Sequence, residues 1–293
     1  MLNFLKKPFQ NGNALMQLIY INVGIYVIVN LAAIFCALFK IDFMLLVDSY
    51  LQMPSKWSIF VHKIWTIITY MFLHLGFLHL FFNMLCLFWF GQIFLQNFSK
   101  KQLVGLYLLG GIAGGAFYLL AYNFLPLFAD KYAILCGASA SVTAIIVAAA
   151  FAVPNMPLRL LFIGEVKLKY IAIFSVVISI FGITGKNAGG DIAHLGGALA
   201  GWLWFLLLKK NVDIARPFDK IISFFVDLFD LDKSKKLKVK KTKPTFHYVK
   251  SDEEYNVERA KNNVEMDKIL DKIRKSGYEN LTESEKKQLF EIS

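Results

Sequence analysis

Long apolar runs separated by short polar segments fill the first two thirds of the chain. A helix needs about 20 mostly apolar residues to cross the hydrocarbon core of a bilayer. Six segments approach this length, and we predict that each is a transmembrane helix: Leu18–Leu38, Leu78–Leu95, Gln102–Phe124, Ser139–Val153, Leu168–Ile183 and Asp191–Leu208. The fourth is short and rich in small residues, so we expect a central helix shielded by its neighbours. The pattern predicts an all-α, polytopic membrane protein with six transmembrane helices.

Composition agrees with this class and divides the chain. With 57% hydrophobic and 18% charged residues, the sequence is too apolar for an ordinary soluble domain. Residues 1–208 contain 12 Lys and Arg and 5 Asp and Glu, whereas residues 209–293 contain 20 and 16. We predict a membrane domain at 1–208, an amphipathic helix and basic linker at 209–243, and a small helical cytoplasmic tail at 244–293. The tail should contain two short helices separated by Gly277.

The positions of the basic residues predict the orientation, because cytoplasmic loops carry an excess of Lys and Arg. An even number of spans places both termini on one side. The loops and termini on that side hold Lys6, Lys7, Lys100, Lys101, Arg159, Lys167, Lys169, Lys209, Lys210, Arg216 and Lys220, against Lys40, Lys56, Lys63, Lys131 and Lys186 on the other. We therefore predict a multi-pass protein of the cytoplasmic (inner) membrane with both termini in the cytoplasm and a retained first span. The basic stretch after the last span favours anionic lipids at the cytoplasmic face over nucleic acid as its partner.

The outward loop at 39–77 is too apolar for a solvated connector. It contains Trp57 and Trp65 among many aliphatic and aromatic residues. Tryptophan is typical of the headgroup region of a membrane. We predict that this first loop lies in the membrane interface.

Four polar residues lie near the outward ends of spans two, four and six: His79, Asn83, Ser139 and His194. Polar groups at membrane depth cost free energy unless they have partners, so each is a candidate functional residue. His79 and Asn83 are four positions apart and share a helix face, and both can donate hydrogen bonds. They suit an oxyanion hole. The alternative is that they form hydrogen bonds between helices.

Ser139 opens the fourth predicted helix. Backbone N–H groups at the start of a helix have no intrahelical acceptor. These groups and the positive end of the helix dipole face any group that lies near the Ser139 hydroxyl. Such donors stabilise a tetrahedral oxyanion, which makes Ser139 a candidate nucleophile. The alternative is that Ser139 or Ser141 caps the helix.

His194 lies at the start of the sixth predicted helix, followed by Gly197 and Gly201 on one face. Small residues allow membrane helices to approach closely. The fourth helix offers a matching face of Ala140, Ala144 and Ala148. This approach would bring the imidazole to the Ser139 hydroxyl. The alternative is that His194 is a packing residue with a hydrogen-bonded partner.

Asp191 precedes His194 by three residues and admits two interpretations. It could complete a catalytic triad, or it could cap the helix and accept a hydrogen bond from the His194 backbone N–H. We favour the cap.

These residues resemble the rhomboid intramembrane proteases over residues 65–208. The resemblance rests on three motifs in order: His-x4-His-x3-Asn at His74, His79 and Asn83, Gly-x-Ser at Gly137 and Ser139, and Ala-His-x2-Gly-x3-Gly at Ala193, His194, Gly197 and Gly201. It implies a six-helix rhomboid bundle whose catalytic core is about 65–208. It also implies that the apolar outward loop is the family's membrane-embedded first loop.

The resemblance further implies an intramembrane serine endopeptidase that needs no cofactor or metal. Ser139 would be the nucleophile, His194 the general base and then acid, and His79, Asn83 and the Ser139 N–H the oxyanion hole. His74, Gly137, Gly197 and Gly201 would have structural or supporting roles. The active site would open to the outer side, and the substrates would be transmembrane segments of other proteins. The partner of the tail is unknown.

The sequence departs from the family pattern at three positions: Thr66, Ala140 and Thr143. Thr66 replaces an arginine that often anchors the first loop, Ala140 replaces a glycine, and Thr143 stands where an aromatic can stack on the histidine. These changes affect the expected rate and loop rigidity more than the chemistry. The alternative function is a non-catalytic rhomboid-like protein that binds membrane clients, although such proteins lose the serine or the histidine.

Overall fold

The computed structural model of the chain describes residues 13–160, 164–218 and 267–275, together with positions 277, 281, 282 and 284. The chain forms two compact units, Met1–Phe246 and His247–Ser293. The described part of the first unit is mainly helical.

The elements of the first unit follow one another as helices joined by short connections. In chain order they are α1 (Ala14–Leu38), α2 (Phe43–Tyr50), β1 (Met53–Pro54), α3 (Trp57–Phe60), α4 (Thr66–Thr69), α5 (Phe77–Asn97), α6 (Lys100–Phe124), β2 (Ile134–Leu135), α7 (Ser139–Ala152), β3 (Pro157–Leu160), β4 (Gly164–Lys167), α8 (Leu168–Gly182) and α9 (Ala188–Lys209). Short 3-10 helices occur at Tyr70–Phe72, Pro126–Phe128 and Arg216–Phe218. The strands pair in two small antiparallel ladders, β1 with β2 and β3 with β4.

Four of the described helices, α1, α5, α6 and α9, are long and apolar enough to cross a membrane. This finding indicates a multi-pass membrane protein. The other two predicted spans correspond to the shorter apolar helices α7 and α8, with 14 and 15 residues. At about 1.5 Å per residue, α7 is about 21 Å long, less than the roughly 30 Å of a hydrocarbon core.

Helix α7 occupies the centre of the bundle. Every residue from Ala140 to Ala150 is buried. Its neighbours include α5, α6, α8 and α9. In contrast, α1 exposes large apolar side chains along most of its length, including Ile28, Leu31 and Phe35. The small side chains of α7 therefore permit close helix contacts, whereas α1 presents an apolar outer surface suited to lipid.

The loop at 39–77 contains short helices and is held by hydrogen bonds from its side chains to backbone carbonyls. Trp65 Nε1 donates to Tyr50 O at 2.8 Å, Thr69 Oγ1 to Leu51 O at 2.6 Å and Lys63 Nζ to Ser49 O at 2.6 Å. Thr66, which stands where the family often has arginine, is buried and donates to Lys63 O. These bonds hold the loop without a guanidinium at position 66.

In the second unit, residues 267–275 are helical. Gly277 has φ +81° and its N–H donates to Ile273 O at 2.9 Å. A glycine in the left-handed region is a common way to end a helix, so Gly277 ends the 267–275 helix. Most of the predicted second tail helix, most of the predicted 216–231 amphipathic helix and the predicted basic linker lie outside the described residues.

Candidate active site

Ser139 is the first residue of α7, and Ala138 occupies the N-cap position with no side-chain cap bond. The interpretation of Ser139 or Ser141 as the helix cap is therefore wrong. The first backbone bond of the helix runs from Val142 N to Ala138 O at 3.0 Å. The N–H groups at positions 139–141 precede this bond and have no intrahelical acceptor. A half-buried hydroxyl thus lies beside several unpaired backbone donors.

Gly137 places the turn before Ser139 directly against the ring of His79. Its φ of +119° is a conformation that side chains rarely adopt, and a Cβ at this position would lie 2.7 Å from Cε1 and 2.8 Å from Nε2 of His79. The Gly137 N–H also donates to Tyr70 O at 2.9 Å. Glycine is therefore required here for both its backbone conformation and its lack of a side chain. The close contact brings His79 to the serine turn.

His74 contacts the same turn. Its Nε2 accepts a hydrogen bond from Ala138 N at 3.4 Å, and its ring meets that of His79 edge to face at 5.1 Å between centroids. Burial, with a smaller contribution from the neighbouring His79, lowers the pKa of His74 from 6.5 to about 4. A neutral ring keeps the Nε2 lone pair free to accept the Ala138 N–H.

Asn83 is buried on α5, one turn after His79, and its Nδ2 donates to the His79 carbonyl at 2.8 Å. An amide nitrogen carries two hydrogens. One is used within the helix, which leaves one available to a ligand. Asn83 thus belongs to the His79 turn of α5, and its described hydrogen bond does not reach Ser139.

Helices α7 and α9 meet at small residues that follow Ser139 and His194 along the chain. A Cβ at Gly197 would collide with the Ala140 carbonyl, and one at Gly201 would collide with the Ala144 carbonyl. On α6, a Cβ at Gly114 would lie 2.5 Å from Ala140 Cβ and 2.8 Å from Ala193 O. Ala140, which follows Ser139, and Ala193, which precedes His194, therefore both contact Gly114.

No hydrogen bond joins the Ser139 hydroxyl to His194 within the described part of the chain. The Nδ1 atom of His194 lies 3.2 Å from Ser179 Oγ on α8. This contact directs one ring nitrogen to α8 and leaves Nε2 as the nitrogen available to a serine. In enzymes without substrate, such catalytic bonds are often long and shorten in the substrate complex.

Asp191 does not cap α9, contrary to our prediction. The helix begins at Ala188, with Asn187 at the N-cap, and Asp191 N donates to Asn187 O at 3.0 Å inside the first turn. The two glycines at 189 and 190 continue the helix instead of forming the preceding loop. The carboxylate packs against Gly182 of α8, and Oδ1 lies 3.9 Å from Nδ1 of His194.

Two departures from the family motifs have a structural explanation. Ala140 is buried where α6 and α9 meet α7, and its methyl group fits beside Gly114. Thr143 donates its hydroxyl to the Ser139 carbonyl at 2.8 Å. Its side chain is therefore engaged within α7.

Ser179 is the site residue that the sequence analysis missed. It is buried, with 1% of its surface exposed, and it contacts His194 from α8. The sequence did contain a signal, which is a serine inside an otherwise apolar helix. Because burying a polar group without a hydrogen bond costs free energy, such a serine is expected to have a hydrogen-bond partner.

Comparison with known proteins places these residues in one family. Residues 61–211, about half of the chain, match the model of the Rhomboid domain, and residues 250–293 match DUF6576, a family of unknown function. "RHOMBOID-like protein 12, mitochondrial" of Arabidopsis thaliana is 31% identical over 160 residues, which cover 51% of this chain and 48% of that protein. The chain thus spans about half the length of this curated relative. No solved structure matches the chain significantly. Because the matched domain covers about half of the sequence and includes all three motifs, this protein belongs to the rhomboid family.

Proposed function

We propose that this rhomboid protein is an intramembrane serine endopeptidase that uses Ser139 and His194 to cleave transmembrane segments of other proteins. The observation that carries the proposal is the position of Ser139. It is the first residue of a buried central helix, with unpaired backbone N–H groups beside it and the His79 ring against the preceding Gly137. A nucleophile needs both activation and stabilisation of the oxyanion that it creates.

The proposed reaction is acyl transfer in two steps. Ser139 Oγ attacks the carbonyl carbon of the scissile peptide while His194 Nε2 accepts the hydroxyl proton. The oxyanion is stabilised by the Ser139 N–H, His79 and the free N–H of Asn83. Collapse of the tetrahedral intermediate breaks the C–N bond as His194 returns the proton to the leaving amine. Water, deprotonated by His194, then hydrolyses the acyl-enzyme and restores Ser139.

The length of α7 supports cleavage below the membrane surface. A helix of about 21 Å is shorter than the roughly 30 Å of a hydrocarbon core, so at least one of its ends lies below the membrane surface, and we assign the Ser139 end to that position. Polar groups at that depth are tolerated where they are buried in protein or line a water-filled cavity. In the proposed topology, α7 and α8 complete six crossings, both termini are cytoplasmic, and the active site opens to the outer side.

The proposal also assigns the 39–77 loop and the basic residues after α9 to regions of the membrane. The exposed apolar side chains of the outward loop, such as Trp57, Ile64 and Trp65, suit the membrane interface. The basic residues after α9 suit anionic headgroups at the cytoplasmic face of the inner membrane. The predicted domains remain 1–208, 209–243 and 244–293.

The test is labelling of the wild-type protein in membranes by a fluorophosphonate, together with cleavage of a model transmembrane substrate. Ser139→Ala should abolish both, a loss of at least about 1,000-fold. Ser141→Ala is the matched control, because this buried hydroxyl lies on the same helix, next to Met71 Sδ at 4.0 Å. It should retain labelling and cleavage.

Cleavage by Ser139→Ala at the wild-type rate would exclude this serine as the nucleophile. Absence of labelling and cleavage in a correctly inserted wild-type protein would instead favour the non-catalytic function, in which the protein binds membrane clients.

A further inference from the structure

The Ser179 hydroxyl links His194 to helix α8. Ser179 Oγ lies 3.2 Å from His194 Nδ1 and 2.9 Å from the backbone carbonyl of Ser175. The side chain is almost fully buried, so water does not compete for these contacts. A buried hydroxyl with two partners at these distances is a fixed element of the site.

Counting hydrogens determines the direction of the two bonds. A serine hydroxyl carries one hydrogen and two acceptor lone pairs. The Ser175 carbonyl can only accept, so it takes the single hydrogen of Ser179. The bond to His194 must then run from Nδ1–H to Ser179 Oγ. The neutral imidazole consequently carries its proton on Nδ1 and presents an unprotonated Nε2.

We propose that Ser179 is the positioning residue of the active site, which holds His194 in the tautomer and orientation that make Nε2 the base for Ser139. The role rests on the proposed protease function. In a serine-protease triad, a carboxylate holds the imidazole in the correct tautomer and orientation. Ser179 would have the same role for His194. Here a neutral hydroxyl on a neighbouring helix makes the contact.

Asp191 is the other polar group near Nδ1. Its Oδ1 atom is 3.9 Å away, beyond hydrogen-bond distance, and its carboxylate packs against Gly182. Ser179 is therefore the hydrogen-bond partner of Nδ1, and Asp191 lies near the ring without a hydrogen bond to it.

The test compares Ser179→Ala with Ser175→Ala in the full-length protein in membranes or detergent. Ser175 lies one turn earlier on α8, and its hydroxyl donates to Ala172 O at 2.8 Å. Ser175→Ala also retains the backbone carbonyl that Ser179 uses. Ser179→Ala should lower kcat and the fluorophosphonate labelling rate by the same factor, about 3- to 10-fold for one hydrogen bond, with KM unchanged. Ser175→Ala should match the wild type.

Ser179→Thr and Ser179→Val separate the hydroxyl from packing, because the two side chains have nearly the same shape and disturb the site equally. Thr should retain more activity than Val by about the same 3- to 10-fold. Equal rates for Thr and Val, or a wild-type rate for Ser179→Ala, would overturn the positioning role while leaving Ser139 labelling intact. An unlabelled wild-type protein would overturn the proposed function, and this role with it.

Discussion

Gly197 of α9 lies so close to Ala140 of α7 that the Ala140 carbonyl occupies the space of a Cβ. Ala140 follows the candidate nucleophile, and Gly197 lies three residues after the candidate base. The distance between the two helices, and hence between Ser139 and His194, depends on this contact. The backbone on both sides is rigid, so a side chain at 197 must move a helix.

We expect Gly197→Ala to separate α7 from α9 and to lower both cleavage activity and thermal stability. Overpacking of a well-packed core typically costs about 1–3 kcal/mol. Gly24→Ala is the matched control, because a Cβ at Gly24 of α1 meets no atom within 4 Å. It should be neutral or slightly stabilising. Thermal inactivation and substrate cleavage are the measurements, and a fully active Gly197→Ala protein would show that the helices can adjust.

We expect His79→Ala and Asn83→Ala each to slow turnover about 100- to 1,000-fold without abolishing fluorophosphonate labelling, since one oxyanion donor is lost in each case. His62→Ala serves as the control, because His62 is exposed on the 39–77 loop and its Nδ1 lies within hydrogen-bond distance of Ser58 O. Steady-state cleavage measures the effect. Wild-type turnover in both variants would show that His79 and Asn83 only pack and form hydrogen bonds between helices.

We expect Asp191→Asn to retain activity within about tenfold of wild type, because Ser179 rather than Asp191 is within hydrogen-bond distance of His194. A triad carboxylate would give a loss near 10⁴-fold in kcat on the same change. Because Asp191 lies inside the helix and does not cap it, Asp191→Ala and Asp191→Asn should have the same stability to within a few tenths of a kcal/mol. A true cap would add a loss of about 0.5–2 kcal/mol on going to Ala.

We expect the stability of the protein to fall as the pH decreases from 6.5 to about 4, in part because of His74. Burial lowers the folded-state pKa of His74 to about 4, so the unfolded chain binds this proton first. Proton uptake by the unfolded state favours unfolding over that window, by at most about 3 kcal/mol. His74→Gln keeps an acceptor for Ala138 N–H but does not titrate. Its stability should depend less on pH in thermal melts, and an identical pH dependence in both proteins would contradict this account.

The sequence alone determined the kind of fold and which polar residues are candidates for the site. Apolar runs are read directly from the chain because every residue of a membrane helix contributes to its hydrophobicity. Helices occur at all six predicted positions, and the small-residue motifs at Ala140 and Gly197 correctly predicted a close contact. The motif Gly137-Ala-Ser139 likewise placed the serine at a helix start.

Only the tertiary structure decided what surrounds His194. The true start of α9 at Ala188 was hidden because Gly189 and Gly190 disfavour a helix locally, and packing overrides that preference. Ser179 is 15 positions from His194, and no periodicity relates residues on different helices. Their contact depends on how α8 packs beside α9, so the fold, rather than the sequence pattern, determines which polar group faces Nδ1.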